Sequence, residues 1–351
     1  MIHKNLCIVL AERPVEEIIP GTTFHQKITA IPSPDTLQDG EILVETLYLS
    51  LDPGMRGWLK DERSYMEPVA IGAVMRGAAS SRVVASRSQQ AKPGDLVSSW
   101  HGWTQYAVLR EGEFEPPTSY PGVDPNSPQD LLSGLGMTSV TAWTGMNDIG
   151  EPKPGELVVI SGAAGATGNV AGQIAKSKGA TVVGLCGSES KARWLVDDLG
   201  FDKAINYKSP NFKEQFLEAT ESLIDIFFDN VGGEQLDLAL TRAKPHARFV
   251  MCGGISQYNT TDPVGIKNLT QIITMRIRMQ GFIAFDKPER IPLIRLELAQ
   301  LLASGNIKKT ETIIKGGLSS CEQGLLDLYK GVNQGKLIVE VKNPTEPSLQ
   351  F

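Results

Sequence analysis

The segment richest in chemistry reads Leu157-Val-Val-Ile-Ser-Gly-Ala163-Ala-Gly165-Ala-Thr-Gly168-Asn-Val-Ala-Gly172-Gln. A short apolar run enters a glycine-rich turn and leaves it with helical spacing, the context that a phosphate-binding turn requires. The pattern is AxGxxG, with Ala163 standing where the dinucleotide fingerprint usually has its first glycine. Gly165 would let a pyrophosphate approach the backbone, and Gly168 would let helix and strand pack closely. The diphosphate would then sit on the helix N-terminus, where free N–H groups and the dipole favour an anion. Gly165, Ala166, Thr167 and Gly168 are therefore the expected phosphate contacts. The alternative is a tight strand-to-helix turn whose small residues serve packing only. The long series of strands and helices around the motif favours the dinucleotide.

The choice of cofactor turns on the position about 20 residues further on, which usually carries an acid for an adenosine ribose 2′-OH. Here the next apolar run, Thr181–Cys186, ends in Gly187-Ser188-Glu189-Ser190-Lys191. Small residues followed by a cation accommodate a 2′-phosphate, whereas a carboxylate would repel it. This favours NADPH (or NADP) over NADH. Glu189 could still play the acidic role if it points inward, and Lys191 could be an ordinary solvated helix residue.

Other chemistries lack their residues. A catalytic zinc needs Cys, His or carboxylate ligands at suitable spacing and an open position. The chain has only His3, His25, His101 and His246, none paired with a Cys or Glu at ligand spacing, so no metal site is expected. His101, in Ser99-Trp-His-Gly-Trp103, reads as a loop residue between aromatic packing groups. Neither a Gly-x-Ser-x-Gly elbow nor a Tyr-x-x-x-Lys dyad is present.

The elements that must carry the turn follow from periodicity. Glu41–Leu51, Ser81–Ala85 and Thr104–Leu109 are short strand candidates separated by Gly/Pro clusters, suggesting a barrel-like or two-layer β domain. After about residue 132, strand candidates at Leu157–Ser161, Thr181–Cys186, Ala204–Asn206, Ile224–Asp229, Arg248–Cys252 and Arg278–Ala284 alternate with helical stretches. That alternation predicts a parallel, doubly wound sheet. The tail, with strands near Thr310–Ile314 and Leu337–Val341, is read as returning to the first domain. The expected fold is α/β: a Rossmann dinucleotide-binding domain over 133–305, inserted in a β-rich substrate domain made of 1–132 and 306–351.

Composition bounds the partners. With 34 Lys plus Arg against 40 Asp plus Glu, the net charge is −6, which does not suit general binding of nucleic acid or anionic membrane. Four dispersed cysteines suggest neither a disulfide framework nor a zinc knuckle, and no apolar run is long enough to span a bilayer. A cytoplasmic protein is expected.

Taken in order, these segments resemble the zinc-independent medium-chain dehydrogenase/reductases, within them the leukotriene hydroxydehydrogenase, prostaglandin reductase and alkenal double-bond reductase group. The resemblance is carried by Ser50-Leu-Asp-Pro-Gly-Met-Arg-Gly57, Gly136-Met-Thr-Ser-Val-Thr-Ala142 and Ser161–Gly168. It continues through Asn206-Tyr-Lys208, Phe228-Asp-Asn-Val-Gly-Gly233, Cys252-Gly-Gly-Ile-Ser-Gln-Tyr-Asn259 and Asn333-Gln-Gly-Lys336. It implies a GroES-like β domain beside the Rossmann domain, and NADPH-dependent reduction of a carbon–carbon double bond conjugated to a carbonyl in a small apolar substrate. Lys191 and Tyr207 look like the 2′-phosphate contacts, and Asn230 and Asn333 resemble cofactor-positioning residues. Cys252, Gly253 and Tyr258 would line the nicotinamide side, with Met137 and Thr141 flanking it and Phe282, Ile283 and Ala284 as further contacts. By the same analogy a homodimer is expected, with the edge strand near Arg278–Ala284 pairing across a two-fold axis.

One departure matters. Family members often carry a tyrosine in a DPYMR segment near the substrate carbonyl; here the segment is Asp52-Pro-Gly54-Met-Arg56. Gly54 and Tyr258 are the expected substrate-cleft residues. Carbonyl polarisation would fall to Tyr258, the candidate catalytic residue, or to the nicotinamide ribose hydroxyl. Tyr258 can also be read as a loop aromatic stacked on the cofactor without chemistry. Asn230 could equally cap the helix starting at Gly233, and Arg56 with Asp52 reads as a salt-bridged turn. Trp58, Trp100, Trp103 and Trp143 divide between cleft wall and core in a way the sequence leaves open. Two other functions share the architecture: a quinone reductase, and a non-catalytic NADPH-binding protein.

Overall fold

The computed structural model describes residues 4–349, so His3 lies outside the described residues. Two compact units form. One is built from the chain up to Gly136 together with the chain from Glu311 onward, the other from Met137–Thr310.

The first unit opens with β1 (Lys4–Leu10) and β2 (Phe24–Ala30), which pair antiparallel. Then follow β3 (Glu41–Ser50), the one-turn helix α1 (Met55–Trp58), β4 (Ala79–Ser86), β5 (Leu96–Ser99), β6 (Tyr106–Arg110) and β7 (Phe114–Glu115). β3 organises the sheet. One edge pairs with β4; the other is shared between β6 along Glu41–Glu45 and a C-terminal strand along Tyr48–Ser50. Every residue of β3 is buried, which is why its sequence loses the in/out alternation that a one-sided strand would show. β2 shows the opposite case: only its Phe24 is buried, so it carries almost no hydrophobic signal, whereas its partner β1 is mostly buried.

The second unit begins with α2 (Met137–Thr144), which runs into a wider-wound turn at Gly145–Gly150. An ideal Cβ at Gly145 would fall 2.6 Å from the Phe228 ring and 2.8 Å from that of Phe282, so only glycine fits there. The order continues β8 (Leu157–Ile160), α3 (Ala166–Ser177), β9 (Thr181–Cys186), α4 (Glu189–Asp197) and β10 (Lys203–Asn206). It then runs α5 (Phe212–Ala219), β11 (Ile224–Asp229), α6 (Gly233–Leu240) and β12 (Ala243–Met251). α7 (Thr270–Thr274), β13 (Arg278–Gly281) and α8 (Ile291–Ala303) close the unit. The six strands form one parallel sheet in the order β10-β9-β8-β11-β12-β13. This is the doubly wound arrangement expected from the alternation. The last strand stops at Gly281, earlier than expected, because the chain turns into a short 3₁₀ segment at Ala284–Asp286.

The chain then returns to the first unit as β14 (Glu311–Lys315), α9 (Cys321–Tyr329) and β15 (Lys336–Glu340). β14 lies parallel to β15, and β15 pairs antiparallel with β3. No helix among the described residues is long and apolar enough to cross a membrane.

Candidate cofactor site

In the six-stranded sheet the strand order reverses between β8 and β11, so the loops leaving those two strands diverge to opposite sides and open a crevice at their carboxyl ends. The loop after β8 is the glycine turn. Ser161 is fully buried, and Gly162 takes φ +59°, a conformation that a side chain resists. The turn glycine is thus Gly162, one residue before the position assigned to Ala163. Ala163 instead donates its N–H to the Leu185 carbonyl (2.9 Å), and its methyl packs over Gly184, where a Cβ would come within 2.9 Å. Gly165 is extended and caps α3 without a side chain, so the first-turn N–H groups from Ala166 through Gly168 meet no capping side chain. A Cβ at Gly168 would lie 2.4 Å from the Gly162 carbonyl oxygen, so this position accepts no side chain. Uncapped donors at a helix start, reached over bare backbone, can hold a diphosphate.

The loop after β11 is tied to the glycine turn by a buried carboxylate. Asp229, fully buried, accepts from the Ser161 hydroxyl (2.6 Å) and from the N–H groups of Val231 and Gly232 (both 3.0 Å). Burial raises its pKa, against the lowering effect of these hydrogen bonds. Asn230 donates its backbone N–H to the Ser161 hydroxyl (2.8 Å) and its side-chain amide to the Ser161 carbonyl (2.7 Å). It does not cap the helix at Gly233, which starts from Gly232 with no side-chain cap; Asp229 holds the residues just before that helix, Val231 and Gly232, by their N–H groups.

Cys252 and Gly253, just past β12, both donate their N–H groups to the Asp229 carbonyl (2.8 and 3.0 Å). Burial, with Asp229 nearby, pushes the Cys252 thiol up to about 12, so it remains a thiol and not a nucleophile at neutral pH. Tyr258 folds back over this loop: its hydroxyl accepts the Gly254 N–H (3.0 Å). Asn230, Cys252, Gly253 and Tyr258 are thus brought together with the glycine turn.

A cationic corner forms where β9 ends. Ser188 caps α4 by accepting the Lys191 N–H (3.3 Å). Burial lowers the Lys191 pKa; Cys186 works the other way, and the neighbouring Lys208 lowers it further. Tyr207 places its hydroxyl 3.1 Å from where a Cβ of Gly187 would be, and the Lys208 ammonium lies 5.9 Å from the Tyr207 ring centre. Two cations, a phenol and a serine-rich helix start can hold a phosphate dianion. The Glu189 carboxylate accepts from the Asn206 side chain (3.0 Å). Lys208 was not among the expected contacts; its adjacency to Tyr207 in the sequence was the signal.

The remaining expected residues spread more widely. Met137 opens α2, and the Thr141 hydroxyl is spent on the Met137 carbonyl (2.7 Å). Phe282, Ile283 and Ala284 line a cavity of about 160 Å³ with Thr144, Asp148 and Arg290. Asn333 and Gly54 belong to the first unit. Asn333 is buried in the turn before β15, where its amide donates to the Gly335 carbonyl (2.7 Å). Gly54 caps α1. The expected Arg56–Asp52 salt bridge does not form: Asp52 pairs with Lys336 (2.5 Å), and the Arg56 guanidinium donates to the carbonyls of Pro14, Val15 and Glu16. An isolated carboxylate in the turn is thus met by a distant lysine that only the fold brings there. Trp103 and Trp58 are core residues of the first unit, and the Trp143 indole donates to Glu297 (2.9 Å). His101 bonds the hydroxyls of Thr46 and Ser99, and burial pushes its pKa down to about 4, leaving it neutral. Among the described residues, no group of three or more His, Cys, Asp or Glu could hold a metal ion.

Comparison with known proteins places this geometry among its relatives. Residues 7–116 match the family model described as the N-terminal domain of oxidoreductase, and residues 166–300 match the model described as zinc-binding dehydrogenase. The chain is 38% identical to the NADPH-dependent curcumin reductase of Escherichia coli, covering 97% of each. It is 38% identical to the NADP-dependent 2-alkenal reductase of Nicotiana tabacum, over 86% of this chain and 87% of that one. The crystal structure of CurA from Vibrio vulnificus in complex with NADPH is similar with a TM-score of 0.89 and 38% identity, covering 96% of this chain and 99% of that chain.

Proposed function

Since the chain belongs to the medium-chain dehydrogenase/reductase family, in its alkenal and prostaglandin reductase group, we propose that it is an NADPH-dependent reductase of carbon–carbon double bonds conjugated to a carbonyl. The observation that carries this reading is the full-length similarity to NADPH-dependent reductases in a chain whose second unit has an uncapped glycine turn and a two-lysine corner at successive strand ends. When bound, NADPH supplies a hydride.

The chain's own residues bind, orient and stabilise. The α3 N-terminus from Gly165 to Gly168 takes the diphosphate, and Lys191 and Tyr207, helped by Lys208, take the 2′-phosphate. Asn230, held by Ser161, fixes the wall of the crevice beside Cys252 and Gly253. Tyr258 stands on that loop as a candidate hydrogen-bond donor to the carbonyl. Met137, Thr141, Phe282, Ile283, Ala284 and Asn333 remain assigned to the nicotinamide surroundings, and Gly54 to the substrate. The substrate class is a small apolar α,β-unsaturated ketone or aldehyde.

The test is NADPH oxidation against a panel of enones, enals and quinones, with cofactor binding measured separately. Turnover of enones or enals with saturated carbonyl products is the expected outcome. Activity confined to quinones, or NADPH binding with no acceptor reduced, would overturn the reading.

We also assign the protein to the reducing cytoplasm, on its four free cysteines, and to a homodimer built on β13, the edge strand of the parallel sheet.

A further inference from the structure

We propose that Asn169 and Gln173 on α3 are positioning residues for the cofactor diphosphate, forming a chain of side-chain amides that orients and polarises the N–H groups of Ala166 and Thr167. This rests on the NADPH reading above and adds two residues which that reading did not assign.

Asn169 and Gln173 stand one turn apart on the inward face of α3, 2% and 4% exposed. Apolar side chains would pack there at lower desolvation cost, so polar ones are tolerated only with their hydrogen bonds made. Here they are made. The Asn169 amide nitrogen donates to the carbonyls of Gly165 (2.6 Å) and Ala166 (3.1 Å). The Asn169 amide oxygen accepts from the Gln173 amide nitrogen (3.3 Å), which also donates to the backbone carbonyls of Asn169 (3.3 Å) and Lys308 (3.1 Å). The Gln173 oxygen accepts the Lys308 N–H (2.7 Å). Each amide nitrogen faces carbonyl oxygens and the Gln173 oxygen faces an N–H, so the orientation of both side chains follows from their partners.

Direction is what ties this chain of amides to the cofactor. From Lys308 through Gln173 and Asn169, each side chain accepts on its oxygen and donates from its nitrogen, and the last donation falls on the first turn of α3. The Gly165 carbonyl and the Ala166 N–H belong to one peptide group, and the Ala166 carbonyl and the Thr167 N–H to the next. A hydrogen bond to a peptide oxygen makes the N–H of that peptide a stronger donor, because successive hydrogen bonds polarise one another. The two peptides loaded in this way carry N–H groups that meet no capping side chain, the ones an anion at the helix start would use. The far end is anchored. Ile307 is 3% exposed, and the Lys308 ammonium donates to the Asp198 carbonyl at the end of α4 (2.7 Å). No proton is transferred along the chain; its effect is on donor strength and on where the first turn of α3 sits.

The test compares NADPH with adenosine 2′-monophosphate, which carries the 2′-phosphate and no diphosphate, by titration calorimetry. Asn169→Leu is expected to weaken NADPH binding about fivefold and to leave monophosphate binding unchanged. Gln173→Met should weaken NADPH binding about twofold by itself. It should add nothing in a chain that already carries Asn169→Leu, because Gln173 acts through Asn169. Asn169→Ser should keep most of the affinity, since a serine hydroxyl can donate to the carbonyl four residues back. In the cofactor-free chain, the Ala166 amide proton, read by NMR after ¹⁵N-alanine labelling, should move upfield in Gln173→Met. That reading decides the matter even where Asn169→Leu fails to fold. Unchanged NADPH affinity in Asn169→Leu, equal losses for the two ligands, additive losses in the double variant or an unmoved Ala166 proton overturns the proposal. If the unaltered chain binds neither ligand, the cofactor reading falls by itself, and the Ala166 proton then tests the amide chain alone.

Discussion

Lys191 owes its situation to two short-range facts: Ser188 starts α4 three residues earlier, and Lys208 stands close enough to disfavour a second charge. A phosphate dianion placed there relieves both the burial and the like-charge penalty. Lys191→Ala should therefore weaken NADPH binding by about tenfold or more, the range of a hydrogen bond to a charged group, and leave NADH binding nearly unchanged. Fluorescence titration with the two cofactors checks this, and equal losses would remove Lys191 from the 2′-phosphate. The cation after β9 was legible in the sequence because it follows a strand end at a known offset from the glycine turn. The direction taken by Glu189 was not, since it depends on Asn206, which lies 17 residues away and arrives on β10. Likewise the partner of Gln173, Lys308, lies 135 residues further on, and only folding brings the two together.

At the scale of elements, α3 is fixed to the sheet by missing side chains. A Cβ on Gly172 would fall 2.0 Å from the Phe201 ring, itself 2% exposed, so there is no room to yield. Gly172→Ala should lower stability by about 1–3 kcal/mol through overpacking, and Phe201→Leu in the same chain should recover part of it. Thermal melts of the single and double variants read this directly, and an unchanged melt for Gly172→Ala would show that α3 can shift. β9 and β11 were expected at the residues where they form, because buried parallel strands are short apolar runs between turn signals. The wide turn at Gly145–Gly150 was not, and its first residue lies against the Phe228 and Phe282 rings, which reach it from distant segments. The phosphate turn has a feature that spacing does not express: Ala163 holds the first position of the pattern, and the positive φ falls one residue earlier, on Gly162.

For the whole molecule, β13 leaves one edge of the parallel sheet unpaired among the described residues. An edge strand of this kind is a template for a second copy. Sedimentation at micromolar concentration should give a two-chain particle, and a single-chain particle there would sink the homodimer assignment. By itself the sequence determined the alternation of strands and helices, the glycine turn, the cation that follows the second strand of the sheet and the return of the C-terminal tail. These rest on local periodicity and steric requirements that a few neighbouring residues express. Only the tertiary structure decided the contacts that close the crevice, shape the turn at Gly54 and complete the amide chain of α3. Asp229 reaching Ser161, Lys336 reaching Asp52 and Lys308 meeting Gln173 each join residues whose pairing depends on where separate elements come to rest. Hydrogen-bond distance is a property of position in space, and residue spacing along the chain does not encode it.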